Sequence, residues 1–188
     1  SGSTVTVAGA GSATITASFT PTDTTNYSLA STSMTLSVSQ AALTITASSP
    51  SVTYGDEVPS ITALYSGFVN SQTSSVLSTA PSCTTAYTTT SAAGTTPSTS
   101  CSGAAADNYS ISYVNGAVTI AKATPTLGSW SNVSKTFGNS DYTITAPSVT
   151  GVTGSSLAGS FAYSSSDTSV ISISSSTATV AGAGSATI

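Results

Sequence analysis

The chain has 188 residues, 38% of them hydrophobic, which is enough for packed cores, but only 4% charged, against roughly 25% in an average globular protein. With a net charge of −4 and Lys122 and Lys135 as the only bases, it cannot neutralise a run of phosphates, so no nucleic acid and no anionic membrane surface is expected as a partner. No apolar run approaches the ~20 residues that span a bilayer, so no membrane insertion is expected. Instead, 42 Ser and 36 Thr solvate the surface.

From the N-terminus onward the pattern alternates with period two: TVTVA at 4–8, ATITASF at 13–19, MTLSV at 34–38, LTITA at 43–47, ISYV at 111–114 and AVTIA at 117–121. Val, Ile and Leu face one way and Thr and Ser the other, which predicts half-buried strands, and no segment has a helical period. Tyr27 follows an Asp23–Asn26 turn and Tyr109 an Asp107–Asn108 turn, each at the start of a late strand. Both resemble the tyrosine corner of Greek-key sandwiches, in which the ring packs and the hydroxyl ties down backbone. Asn115–Gly116 between two alternating runs predicts a type I′ hairpin. The seven prolines fall at loops and strand entries, where a missing N–H is tolerated.

Cys83 and Cys101 are the only cysteines. A zinc pair lacks further Cys or His to complete a shell, and two buried thiols are a second alternative. The expected reading is a disulfide, because small all-β extracellular domains commonly need a staple; it would place the chain in an oxidising compartment.

The organisation is repetitive. Residues 1–15, SGSTVTVAGAGSATI, return at 174–188 with changes only at Gly2/Ser175 and Val5/Ala178. That offset exceeds one sandwich, which takes about 100 residues, so a period should hold two different domains. TNYSLASTSMTLSVSQA near residue 25 and DNYSISYVNGAVTIAKA near residue 107 read as the closing strands of two sandwiches. The expected boundaries are therefore 1–40, the C-terminal part of one repeat; 41–122, a complete domain; and 123–188, the N-terminal part of the next repeat of the first type. Residues 123–173 and 1–40 together supply one sandwich's worth of chain, and the whole reads as one period of a longer array.

Residues 41–122, with LTITA, TYGDEVPSITALYSGFVN, CSGAAADNY and ISYVNGAVTI, resemble the MBG-type bacterial Ig-like domain. The composite of 123–188 and 1–40 is similar to a second bacterial Ig-like repeat, through SKTFGNSDYTITAP, FAYSSSDTSVISIS and STATVAGAGSATITASF. The resemblance implies all-β, tandem Ig-like Greek-key β-sandwiches in a bacterial extracellular or cell-surface protein, with spacing and display roles and no enzyme activity. Some members of the MBG type carry a cysteine pair matching Cys83 and Cys101.

The residues offer little chemistry. Nucleophilic catalysis needs a base beside the nucleophile, yet there is no His, and Ser134 and Lys135 are strand neighbours pointing to opposite faces. Asp56–Glu57 is the one adjacent acidic pair and reads as a solvated turn rather than a calcium site. Lys135 is the one plausible donor for a Lys–Asn isopeptide bond, in a stretch that reads as a surface turn. The N-x-S/T sequons at Asn26, Asn108 and Asn132 fall partly in the tyrosine-corner turns, whose own chemistry explains them. Trp130 reads as core. No cofactor and no metal is expected. The expected function is a structural segment of a secreted fibre, filament or adhesin stalk, partnered by other copies of the same repeat head to tail. The alternative is a module that binds a glycan or a host or cell-surface protein.

Overall fold

The computed structural model describes residues 4–188; residues 1–3, where the repeated stretch begins, lie outside the described residues. Among the described residues every regular element is a strand, apart from one 3-10 turn at Ser74–Val76, so the class is all-β. The chain forms two compact units, Ser1–Ala121 and Lys122–Ile188.

The first unit opens with a hairpin. Strand β1 (Gly11–Phe19) pairs antiparallel with β2 (Ala30–Val38), in unbroken register from Gly11↔Val38 to Phe19↔Ala30. Opposed residues share a face, and the two alternations are in phase. One face collects Ala13, Ile15, Ala17 and Phe19 with Leu36, Met34, Thr32 and Ala30; the other pairs Ser12, Thr14, Thr16 and Ser18 with Ser37, Thr35, Ser33 and Ser31. The hairpin is a sheet of its own, and two strands alone are marginally stable in water.

The rest of the unit contains β3 (Ala41–Ala47), β4 (Ser51–Thr53), β5 (Ala63–Ser66), β6 (Ser82–Thr85), β7 (Ser98–Ser102), β8 (Tyr109–Val114), β9 (Gly116–Ala117) and β10 (Thr119–Ala121). Its sheets run β5-β3-β8, β6-β7-β9 and β10-β4. Leu43, Ile45 and Ala47 on the inner side of β3 pack with Cys101 of β7 and Tyr109 of β8, so one core is shared by two sheets, as in a sandwich. Tyr87, Val118 and Ile120 form a second cluster. Burying a side chain such as Leu43 or Ile45 contributes about 1.5–3 kcal/mol.

Two strand-level expectations differ from the structure, for instructive reasons. Asn115–Gly116 turns no hairpin: β8 pairs with β3, while β9 pairs with β7 and β10 with β4. Neither residue has a positive φ, which a type I′ turn requires at both centres. Gly116 serves close approach instead, since a Cβ there would meet Ala47 O at 2.6 Å and Thr99 Oγ1 at 2.7 Å as the chain passes from one sheet to the other. TVTVA at 4–8 forms no strand, and Val5 and Val7 are 55% and 62% exposed. Its second copy does form one, because there a neighbouring strand is present.

That copy lies in the second unit, built from β11 (Thr126–Leu127), β12 (Tyr142–Thr143), β13 (Val149–Thr150), β14 (Ile171–Ser174) and β15 (Thr177–Val180). β15 lies between β12 and β14; Ala178 on it is buried, as is Ile144 just beyond β12. The β14–β15 turn holds Ser175 at φ 55. Trp130, expected in the core, is 45% exposed; its indole N–H donates to Thr145 O at 2.9 Å and its ring meets Tyr163 at 5.8 Å.

Candidate functional site

The two cysteines sit directly opposite each other on β6 and β7 and are joined as a disulfide, with Cα atoms 4.1 Å apart. The bond lies within one sheet. Cys101 is buried against Leu43, Ile45 and Tyr109, so the staple is continuous with the core.

Tyr109 is buried, and its ring meets Phe68 edge-on at 5.5 Å. Its hydroxyl accepts the Val69 N–H at 3.1 Å and donates to Gln72 Oε1. Asn70 and Ser71, both at positive φ, make the tight turn that presents these partners, closed by Gln72 N to Val69 O at 3.0 Å. Tyr109 thus ties down a loop that lies 40 residues upstream.

Tyr27 takes the other course. The structure leaves it 68% exposed, correcting the expectation of burial. Its turn is well made: Asp23 Oδ1 accepts the Thr25 and Asn26 N–H groups, and Asp23 Oδ2 accepts from Asn26 Nδ2 at 2.7 Å. A corner tyrosine packs into a sandwich, whereas among the described residues β1 and β2 pair only with each other. Phe19, Pro21, Thr22, Asp23 and Tyr27 instead line an open depression of about 410 Å³.

A third tyrosine, not singled out by the sequence, anchors the TYGD turn. Tyr87 is buried and its hydroxyl donates to Asp56 O at 2.8 Å, while Asp56 Oδ2 accepts the Thr53 N–H at 2.7 Å. Burial, and then the Asp56 carboxylate, push the Tyr87 phenol above its usual range. Thr99 escaped notice too: it is fully buried and donates to Ser48 O at 2.8 Å. Both are ordinary Ser/Thr-rich or loop residues in sequence; Thr99 is turned inward by the pairing of β7, and Tyr87 lies in the loop just beyond β6.

The remaining polar groups are occupied with local structure. Hydrogen bonds from the side chain and then the backbone of Asn26 hold Asp23 below the usual carboxylate range, and Ser169 does the same for Asp167. Among the described residues no three His, Cys, Asp or Glu side chains converge. Lys135 rests 5.4 Å over the Tyr142 ring. Asn108 Oδ1 accepts the Ala10 N–H at 2.8 Å, so the amide nitrogen of Asn26 and the amide oxygen of Asn108 are engaged.

What stays open is apolar. On the hairpin, Phe19 is 66% and Met34 58% exposed. In the second unit Phe161 stacks on Tyr163, which in turn meets Trp130, a half-open aromatic shelf. These two faces, and not a cluster of reactive groups, are the candidate functional surfaces.

Residues 43–119 match the family model for the MBG domain (YGX type), a span that includes Tyr54–Gly55–Asp56 of the anchored turn. No curated protein and no solved structure matches the chain.

Proposed function

We propose that the chain is a non-catalytic, cofactor-free structural segment of a bacterial extracellular fibre, filament or adhesin stalk. Its MBG-type body, 41–122, would alternate with a second Ig-like repeat made from 123–188 and 1–40, in tandem Greek-key sandwiches. The disulfide and the MBG match support an oxidising, surface-exposed setting. The observation that carries the mechanical reading is the strand order at the ends of the body. Its first strand, β3, runs parallel to β8 on one side and antiparallel to β5 on the other, and its last, β10, runs parallel to β4. A pull along the strands loads such pairs in shear, so several ladder hydrogen bonds must break together, whereas an antiparallel hairpin pulled at its ends opens one bond at a time.

The test is single-molecule pulling on the intact chain between handles. With the disulfide closed, the body should unfold in one high-force step. Reduction releases the loop between Cys83 and Cys101, so that step should then lengthen by about 60 Å, at roughly 3.3–3.6 Å per extended residue. Unfolding of the body at forces no higher than those of the β1–β2 hairpin would overturn the spacer reading.

The depression beside Phe19 and Tyr27 favours the second reading, a glycan- or protein-binding module. Saturable binding of a glycan that Tyr27→Ala abolishes would establish it.

A further inference from the structure

We propose that Asn115–Gly116 is a self-modifying site: the chain deamidates itself there when β9 lifts from β7, and the isoaspartyl product then keeps β9 from closing again.

The reaction needs no partner but water. Gly116 N, once solvent base has taken its proton, attacks Asn115 Cγ. The new N–Cγ bond forms as the Cγ–Nδ2 bond breaks and ammonia leaves, which closes a five-membered succinimide. Water then opens the ring. Cleavage between Cγ and N leaves aspartate. Cleavage between the main-chain carbonyl carbon and N leaves isoaspartate, whose main chain runs through Cβ and Cγ and is one carbon longer. Of the asparagines, only Asn115 precedes glycine, whose missing Cβ lets the nitrogen swing into the ring geometry. Asn115 is exposed, so base and water reach it.

What holds the reaction back is the ladder. β9 sets Gly116 opposite Thr99 and Ala117 opposite Ser98. Val118 N donates to Pro97 O at 2.8 Å; because hydrogen-bonded and non-hydrogen-bonded pairs alternate along an antiparallel ladder, Gly116–Thr99 is the next bonded pair. Ala117 N, between them, points away from β7 and donates to Ser49 Oγ at 3.2 Å, as that alternation requires. While the sheet is closed the Gly116 proton is engaged with β7, and the nucleophile cannot form. β9 is two residues long and lies at the edge of its sheet, whereas β7 is bonded through Cys101 to β6 on its other side. Short edge pairs open by local fluctuation well before a domain unfolds. Reaction at Asn115 therefore follows the openings of β9 while the disulfide stays intact.

The product does not fit the closed fold. Val114 pairs with Thr46 in one sheet and Gly116 with Thr99 in another, so Asn115 alone spans the crossing. The space at its far end is full: one carbon added to Gly116 as a Cβ would lie 2.5 Å from Ser49 Oγ, 2.6 Å from Ala47 O and 2.7 Å from Thr99 Oγ1. A longer main chain has to bulge at this crossing, and the Gly116–Thr99 pair is what gives way. Each opening that ends in isoaspartate is then permanent.

The experiment keeps the whole chain folded and oxidised at mildly alkaline pH. Cleavage after aromatic residues frees a peptide that begins at Val114, and electron-transfer fragmentation counts Asn, Asp and isoaspartate at 115. Amide exchange at Gly116, followed by NMR, gives the open fraction. Conversion in the folded chain, divided by conversion in the urea-unfolded chain, should equal that fraction. Ser49→Ala removes the acceptor of the Ala117 N–H; it should speed exchange at Gly116 and conversion at 115 by the same factor, with circular dichroism checking that the body stays folded. Asn115→Gln should leave exchange as it is and abolish conversion. The isoaspartyl form, separated chromatographically, should lose protection at Gly116 and melt below Asn115→Asp, which has the same charge without the extra carbon. Conversion as fast folded as unfolded, conversion well below the fraction given by exchange, or faster exchange in S49A without faster conversion would overturn the gating. An isoaspartyl form that protects Gly116 as well as N115D does would overturn the one-way step.

Discussion

Removing the Cys83–Cys101 bond is the most quantitative test of how the middle body is held together. The bond joins residues separated by 18 in sequence, and constraining the unfolded chain over such a loop contributes about 3 kcal/mol. Cys101 is 5% exposed and packs on Leu43, Ile45 and Tyr109. A Cys83→Ala/Cys101→Ala variant therefore also loses some packing, and about 3 kcal/mol is a lower bound on the loss. For a domain of this size each kcal/mol moves the midpoint by roughly 4–8 °C, giving a fall of about 12–24 °C. Thermal unfolding followed by far-UV circular dichroism, on wild type with and without reductant and on the double alanine variant, reads this directly. Urea titration should show a lower midpoint and a steeper slope, since the unlinked chain exposes more surface on unfolding. If reduction leaves the midpoint within about 3 °C, less than about 1 kcal/mol by that scale, the staple is not continuous with the core and the reasoning fails.

Three further outcomes follow from other sites. Tyr109→Phe keeps the ring but removes both hydroxyl bonds to the 67–72 loop; it should cost about 1–3 kcal/mol and raise amide exchange at Val69 above all, whereas unchanged exchange there would refute the tie. Ser175→Gly relieves a left-handed residue at the β14–β15 turn and should stabilise the second unit by up to about 1 kcal/mol in chemical denaturation, whereas a loss of stability would refute it. Asp23 and Asp167 are held below the usual range by hydrogen bonds that favour the ionised form, so their turns keep full stability above about pH 4 and lose it only as pH falls through the depressed folded values. Carbon-detected NMR titration should find both carboxyls below ordinary aspartate, and Asn26→Ala should move Asp23 back up; an Asp23 midpoint unmoved by that change would refute the assignment.

Sequence periodicity was a good guide where the strand had a partner. β1, β2, β3 and β8 follow the alternations at 13–19, 34–38, 43–47 and 111–114, and the cysteine pair was legible because small all-β extracellular domains commonly need a staple. Periodicity failed where the partner was missing or unexpected. TVTVA and its second copy are nearly the same peptide, yet only the copy beside β14 is a strand. Tyr27 and Tyr109 follow similar turns, yet only Tyr109 has a loop to hold. Burial belongs to the neighbour as much as to the residue, and no local pattern records the neighbour. Asn115–Gly116 misled for another reason: its glycine answers a steric demand from Ala47 and Thr99, which a hairpin signal imitates. Thr99 and Tyr87 were invisible because one hydroxyl among many threonines, or one tyrosine in a loop, carries no mark of facing inward.

The scarcity of basic side chains has a consequence for how the chain would meet digestive enzymes. A protease that cleaves after lysine or arginine finds only Lys122 and Lys135 in 188 residues, and both side chains are exposed. Lys122 falls at the junction of the two compact units, so a cut after it leaves the Cys83–Cys101 bond and the sheets of the first unit intact. The other site sits in the turn-rich stretch before β12. The rest of the chain offers such an enzyme nothing to grip, and resistance to it is set by the count of lysines before any question of fold stability arises.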